Sequence, residues 1–333
     1  MKRVIYLGYY LKKLNRGLYI KFLNHTAQVS KKSKTALSLE SVYCVFKYNI
    51  SLLEYFQFGF YKKSHDERKK WVGTGFIYEY QLIMNPNNVR DILDDKRKFF
   101  KYYEKFVLHI VASLEDLISN EEIGTKLLNN PSGKIVFKSS DGKCGLGVKI
   151  ASTRDFNEKS LINYMIENKY DLVEEFIIQH PLLNNLSPSG VNTIRIFTQL
   201  DQDNEVVILG CRQRISVNSA IDNMAAGNIA ANIDDVTGII TGVGVYSDIT
   251  KDDQVYHPVT GLSIVDFQVP FWNETITLVI EAAKLHPQNR SIGWDIVMTE
   301  KGPGLIEGNH DWCKLLWQLP VKKGLKSAIE KFK

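Results

Sequence analysis

Apolar positions recur with a helical period over the first part of the chain and with a strand period over most of the rest. From about residue 35 to residue 95, aromatic side chains fall three and four positions apart (Tyr43, Phe46, Tyr48, Tyr55, Phe56, Phe58, Phe60, Tyr61). That spacing builds one packed helical face, so these rings are expected to form a core. Asn85-Pro-Asn-Asn88 is a turn, after which Asp94-Asp-Lys96 opens a basic helix, RKFFKYYEKF. A short strand is expected over 107–111 and a helix over 114–128. Strands follow at 135–139, 148–150, 171–178, 191–198 and 206–215, with a helix over 158–168 among them. A glycine-punctuated strand pair over 237–245 and an amphipathic helix over 272–286 precede the last patterned stretch. Strands and helices in this order make an α+β chain.

That last stretch, 293–309, organises the rest. Two apolar segments flank the turn Lys301-Gly-Pro-Gly304 and read as a β-hairpin. Side chains alternate faces along a strand, so Glu307 and Asn309 share one. Asp295 joins them only if the hairpin sets it across from Glu307; a slip of one residue sends it to the other face. In that register two carboxylates and an amide form an all-oxygen cluster suited to Mg²⁺ that also holds phosphate oxygens. Otherwise they are two solvated charges and a turn amide.

Other polar residues interrupt apolar strands. Asn192, Arg195, Arg212 and Arg214 do so between residues 191 and 215. A buried Arg needs an anion, supplied by a carboxylate of the protein or by a ligand. Ile221-Asp-Asn-Met-Ala-Ala-Gly-Asn follows, small enough around Asp222 and Asn223 to permit close approach to a substrate. Earlier, Lys138 ends a strand that enters Ser140-Asp-Gly-Lys-Cys-Gly-Leu-Gly147, with three glycines in six residues. Such a loop can bring backbone N–H groups to an anion, or be a plain hairpin tip. The strand Asp171-Leu-Val-Glu-Glu-Phe-Ile-Ile178 carries Glu174 and Glu175 at its centre. It can offer an edge to a purine or be a solvated edge strand. His180 and His257 read as structural.

Composition narrows the setting. Four well-spaced cysteines form no Cys-x-x-Cys, which fits a reducing, cytoplasmic compartment rather than a disulfide framework. The net charge of +5 conceals an imbalance: residues 1–90 hold 16 Lys/Arg against 5 Asp/Glu, and residues 1–39 hold nine basic residues and no acidic one. Interleaved with tyrosines, this basic segment can contact an anionic membrane surface or an acidic substrate, or simply pack locally. No recognition motif accompanies it, so no nucleic acid is expected.

The order of these segments resembles the ATP-grasp superfamily, and their wording is most similar to its sugar-transfer-associated branch. VEEFIIQHP, VNTIRIFT, the Asp222-Asn223 and Gly227 segment, HPVTG and IGWDIVMTEKGPGLIEGN carry the likeness, which covers residues 96–312 well. The resemblance implies an ATP-grasp fold: two α+β lobes clamping Mg-ATP, over 96–180 and 181–333, behind a mainly helical basic region 1–95. It implies ATP and Mg²⁺ as cofactors. Lys96 and Lys138 become phosphate-binding lysines, with Ser140, Gly142, Gly145 and Gly147 in the loop over the phosphates. Glu174, Glu175, Phe176 and Ile177 fall at the adenine hinge, and Asp295, Glu307 and Asn309 match the metal ligands. Arg195 and Arg212 become the charge stabilisers of catalysis, with Asn192, Arg214, Asp222 and Asn223 toward the substrate. Cys144, and Ala in place of a second glycine before Gly227, depart from the family pattern.

The activity so implied is an ATP-dependent carboxylate–amine ligase that forms an acyl phosphate. Its partners would be an amino acid and an acidic sugar, such as a uronic acid of a bacterial capsule or O-antigen precursor. A kinase acting on a sugar hydroxyl is the alternative within enzymes. A nucleotide-binding assembly factor at the membrane, touching it through residues 1–35, is the alternative outside them.

Overall fold

In the computed structural model, which describes residues 2–139 and 148–333, the N-terminal part divides into short helices because side-chain oxygens cap them. Asn15 precedes the helix Arg16–Ser30, Ser33 precedes Lys34–Tyr48, Ser51 precedes Leu52–Gln57 and Ser64 precedes His65–Lys69. Each accepts from a backbone N–H of the first turn that would otherwise lack a partner. At Ser51 and Ser64 the acid three residues on returns the bond in a capping box. Tyr55, Phe56, Phe58 and Phe60 are buried together with Phe22, Leu37, Cys44 and Trp71. Tyr43 and Phe46, expected in the same core, are exposed instead.

Among the described residues, nine strands form two antiparallel sheets: β1 (Val111–Ser113), β2 (Lys134–Lys138), β3 (Lys149–Ser152), β4 (Leu172–Glu175), β5 (Ile194–Leu200), β6 (Val206–Ile215), β7 (Ile229–Ile233), β8 (Ser291–Thr299) and β9 (Gly302–Asn309). The smaller sheet runs β1-β4-β2-β3 and the larger β7-β6-β5-β8-β9. The α+β class read from the pattern holds, with local differences. The strand expected at 107–111 begins only at Val111, and the helix expected over 114–128 breaks at Asn120, whose side chain caps the second piece, Glu121–Leu128. The strand expected to 178 ends at Glu175. The 237–245 segment makes isolated bridges at Ile239, Ile240, Gly244 and Val245 rather than a ladder.

Alternation sorts each sheet into two faces. On the small sheet, Ala112, Ile135, Phe137 and Val173 pack with Leu117, Leu127, Leu161 and Met165 of the covering helices. Val136 and Glu174, paired across β2 and β4, therefore face the other way. On the large sheet, Ile194, Ile196, Trp294, Ile296 and Leu305 pack with Val279 and Ala282 of the helix Trp272–Leu285. Arg195, Phe197 and Asp295 take the opposite face, where Phe197 meets Trp312 and Trp317. Among the described residues no helix is long and apolar enough to cross a membrane.

Candidate active site

The site is set by register. Arg195 on β5 pairs with Asp295 on β8, and Asp295 pairs with Glu307 on β9, with Gly293 opposite Asn309. The alignment of Asp295 with Glu307 on which the metal reading depends is present. It arises in a way that alternation alone does not give. Regular alternation would put Leu305 and Glu307 on one face, yet Leu305 is in the apolar core. The register shifts between Asp295 and Ile296, so that Ile296 pairs with Leu305 and Asp295 with Glu307. The extra residue on β9, Ile306, is a β-bulge that turns Glu307 away from the core toward Asp295. Trp312 Cβ and the Arg195 side chain fill the space where a side chain on Gly293 would go, which makes glycine the residue that fits there.

Asp295 anchors a chain of charges. Arg195 grips it through Nε to Oδ1 at 2.5 Å and Nη2 to Oδ2 at 2.7 Å. Arg214 donates from Nη1 to Oδ2 at 2.9 Å and holds Asp222 Oδ1 at 2.5 Å through Nη2. Asp222 Oδ2 in turn accepts from Thr193 N at 2.7 Å and Thr193 Oγ1 at 2.5 Å. Burial would push the Asp295 carboxyl up, but the two guanidinium groups overcome it and hold it down at about 2. Burial prevails at Asp222, whose carboxyl is raised despite Arg214. Glu307 is also raised, by loss of solvation and then by the Asp295 charge, with Arg195 and Lys96 pulling the other way. Asn309 Nδ2 donates to Glu307 Oε1 at 3.1 Å and to Gly293 O at 3.2 Å.

Three expected site residues do other work. Arg212, taken as a charge stabiliser, is buried and donates to Trp317 O, Cys211 O and Asn232 Oδ1. Its ionisation is lowered to about 10 by burial, and its donors are aimed at the protein itself. Asn192, taken as a substrate contact, ties Gln179, Ser187 O and Gly190 O to Ser216 N. With both ends of its amide occupied, it braces the loop before β5. Asn223 caps the turn Met224–Ala226 by accepting from Ala225 N at 3.0 Å. Thr193, which orients Asp222, carries no sequence signal, because a strand Thr reads as β-propensity.

On the small sheet, Lys138 Nζ sits 2.5 Å from Glu174 Oε2, and His109 Nε2 lies 3.4 Å from the same oxygen. Burial opposes ionisation of Glu174, but Lys138 and His109 hold it at about 2. His109 falls within the stretch 107–111 expected as a strand, but it lies just ahead of β1. A cleft of about 890 Å³ opens between the helix Lys96–Tyr102 and β1, with His109, Ile110 and Leu172 in its wall. Glu175 pairs with Ile110 through its backbone N–H and its Oε2. Phe176 N donates to Lys134 O, and Lys134 Nζ lies 5.4 Å from the Phe176 ring centre. Beyond the half-buried Ile177, His180 N donates to Met298 O, tying this connector to β8. Lys96 begins its helix behind Asp95, which caps it, and its charge reaches Glu307. Ser140, Gly142, Gly145 and Gly147 lie outside the described residues. His180 and His257 are structural: His180 Nδ1 caps Leu182 N, and His257 is buried against Ser216 O and Thr260.

The donor set fits a hard cation. Among the described residues no three His, Cys, Asp or Glu side chains cluster to hold a metal ion. Glu307 and Asn309 supply oxygens beside a second carboxylate. Asp295 Oδ1 accepts one bond from the arginines and Oδ2 accepts two, which leaves Oδ1 capacity for one more partner.

The family model described as "Sugar-transfer associated ATP-grasp" matches residues 76–333. No curated protein matches. Among solved structures, the chain is similar to a biotin carboxylase–β,γ-ATP complex from Campylobacter jejuni, at 13% identity and TM-score 0.43, covering 72% of this chain and 47% of that one. It is also similar to an L-amino acid ligase from Bacillus licheniformis, at 12% identity and TM-score 0.39, covering 72% and 49%. A third is the ATP-grasp ligase PsnB with precursor peptide PsnA2 and AMPPNP, at 11% identity and TM-score 0.43, covering 77% and 66%. The chain spans about half the length of the carboxylase and of the amino acid ligase.

Proposed function

The chain belongs to the sugar-transfer associated ATP-grasp family, and from that premise we propose that it is a carboxylate–amine ligase joining an amino acid to a uronic acid of a surface-polysaccharide precursor. The observation that carries the reading is the single face on which Arg195, Asp295, Glu307 and Asn309 converge. A module that only held nucleotide would not need two arginines and two carboxylates packed beside one another.

The chemistry asks for such a face. A carboxylate is a poor electrophile. In the first step its oxygen attacks the γ-phosphorus of ATP, the bond to the β-γ bridging oxygen breaks, and ADP leaves. In the second the amine nitrogen attacks the acyl carbon, phosphate departs, and the nitrogen loses a proton. Glu307 and Asn309, with Oδ1 of Asp295, would hold Mg²⁺, which supplies charge neutralisation at the phosphate oxygens. Arg195 and Arg214 are already oriented by Asp295 and Asp222, so their positive charge needs no reorganisation when negative charge develops nearby. Lys138 and Lys96 would meet the phosphates as point charges. Glu175 to Ile177 would line the adenine.

The deciding experiment crosses a panel of uronic acids with amino acids, follows ADP and phosphate release, and identifies products by mass spectrometry. An amide product with stoichiometric ADP and phosphate is expected. ADP without phosphate, together with a stable phosphorylated sugar, identifies a kinase instead. No turnover with any pair, alongside tight ATP binding, identifies a nucleotide-binding factor.

A further inference from the structure

The helix Lys2–Lys12 is apolar on both sides, and the protein covers only one of them. Tyr10 is buried against Val45 and Leu52, with Tyr6 and Leu7 packed beside it. Tyr6 Oη also donates to Glu79 at 2.8 Å. The opposite side presents Val4, Ile5, Tyr9 and Leu11, each between 53 and 65% exposed. Apolar side chains in such number are ordinarily covered, and among the described residues nothing covers the outer side. The neighbouring helix Lys34–Tyr48 does the same: Leu39, Tyr43 and Phe46, at i, i+4 and i+7, form an exposed stripe opposite its buried Leu37, Cys44 and Val45. These are the rings that the sequence pattern assigns to the core.

Charge decides what covers this surface. Exposed Lys2, Lys12, Lys13 and Arg16 flank the apolar side of the first helix, and no acidic residue occurs before Glu40. A second copy of the chain would bring two positive patches together, which opposes self-association. Apolar side chains beside lysines and tyrosines suit the boundary between anionic headgroups and acyl chains. We propose that the outer sides of these two helices form a docking surface for an anionic lipid bilayer. There the catalytic domain would meet lipid-linked or membrane-proximal acceptors.

The test is co-sedimentation of the full chain with vesicles of phosphatidylcholine alone and of phosphatidylcholine mixed with phosphatidylglycerol. Binding to the anionic vesicles, weakened by added salt and negligible on neutral ones, is expected. Ile5→Glu should weaken it by about tenfold or more, since it sets a charge where an apolar group inserts. Tyr43→Glu, on the second helix, should act in the same direction if the first helix fails to fold in its variant. Both variants should retain the ATP binding of the parent, which separates loss of docking from loss of the catalytic fold. Absence of binding to anionic vesicles, equal binding to neutral ones, or equal binding by parent and both variants overturns the proposal. So does a concentration-dependent dimer that Ile5→Glu dissociates, which assigns the surface to self-association.

Discussion

Asp295 and Glu307 stand directly opposite each other on β8 and β9, and their carboxyl groups are driven in opposite directions. Asp295 is held at about 2 by Arg195 and Arg214 against the effect of burial, whereas Glu307 is raised by burial and by Asp295 itself. The pair therefore divides its work. Asp295 organises the arginines and is already compensated, so under the proposed metal role Glu307 would be the carboxylate that gains most from a cation.

Glu307→Gln should abolish Mg²⁺-dependent turnover while leaving the unliganded fold as stable as the parent or slightly more so. Because the folded carboxyl is raised above its unfolded value, ionising it works against folding. The stability linked to protonation is complete below the unfolded value of about 4.3 and is lost as pH rises through the folded one. The amide removes that loss. Thermal melts with and without Mg-ATP provide the check: ligand should raise the parent's midpoint and leave the variant's unchanged. A variant that is both active and stabilised by Mg-ATP would remove Glu307 from the metal set.

Asp295→Asn should behave differently, with a stability loss on the order of 3–5 kcal/mol, because it strands buried guanidinium groups. Here the folded carboxyl lies below its unfolded value, so its stabilisation is present above about 3.9 and is lost as pH falls toward about 2. Urea unfolding of parent and variant from neutral to acid pH should show the difference between them shrinking across that window. A difference independent of pH would mean that packing, not charge, carries the effect.

The hairpin and the grouping of Glu307 with Asn309 were legible because strand alternation is local. The route by which Asp295 joins them was not. It depends on the bulge at Ile306, and nothing in Leu305-Ile-Glu307 announces that Leu305 and Glu307 take opposite faces. The strand arginines show the same division. Their burial was legible from the apolar strands around them, but their partners were not. Arg195 finds Asp295 across the sheet, while Arg212 finds the carbonyl of Trp317 more than a hundred residues later. Tyr43 and Phe46 share the helical spacing of the buried rings, and only tertiary packing decides which side of a helix is covered.

Glu174→Gln should loosen Lys138 and weaken nucleotide binding by about tenfold, roughly 1.4 kcal/mol. Lys138 reaches Glu174 at 2.5 Å, and His109 Nε2 lies 3.4 Å from the same oxygen. A neutral amide keeps the shape and removes the charge that orients the ammonium. The parent should also show stability that is present above about 4.3 and lost as pH falls toward about 2, and the variant should lack it. Nucleotide titration by calorimetry and acid unfolding are the two measurements. Unchanged affinity would mean that Lys138 is not set by Glu174.

The helical N-terminal region and the C-terminal segment should prove inseparable. Glu54 is buried, accepts from Ser51 N, Thr74 N and Thr74 Oγ1, and lies 2.9 Å from Lys314 Nζ. Gln318 pairs with both the N–H and the carbonyl of Val72 at 2.9 Å, and Lys326 N donates to Lys70 O. Lys314→Met leaves Glu54 as a buried charge without its cation, which should cost about 3–5 kcal/mol. Adding Glu54→Gln should recover part of that, since the capping bonds survive and the stranded charge does not. A piece spanning residues 96–333 strips Lys314, Gln318 and Lys326 N of their partners Glu54, Val72 and Lys70, and should fail to unfold cooperatively in urea. If that piece instead melts cooperatively at the parent's midpoint, residues 1–95 are an independent unit and the boundary near residue 95 is a true domain border.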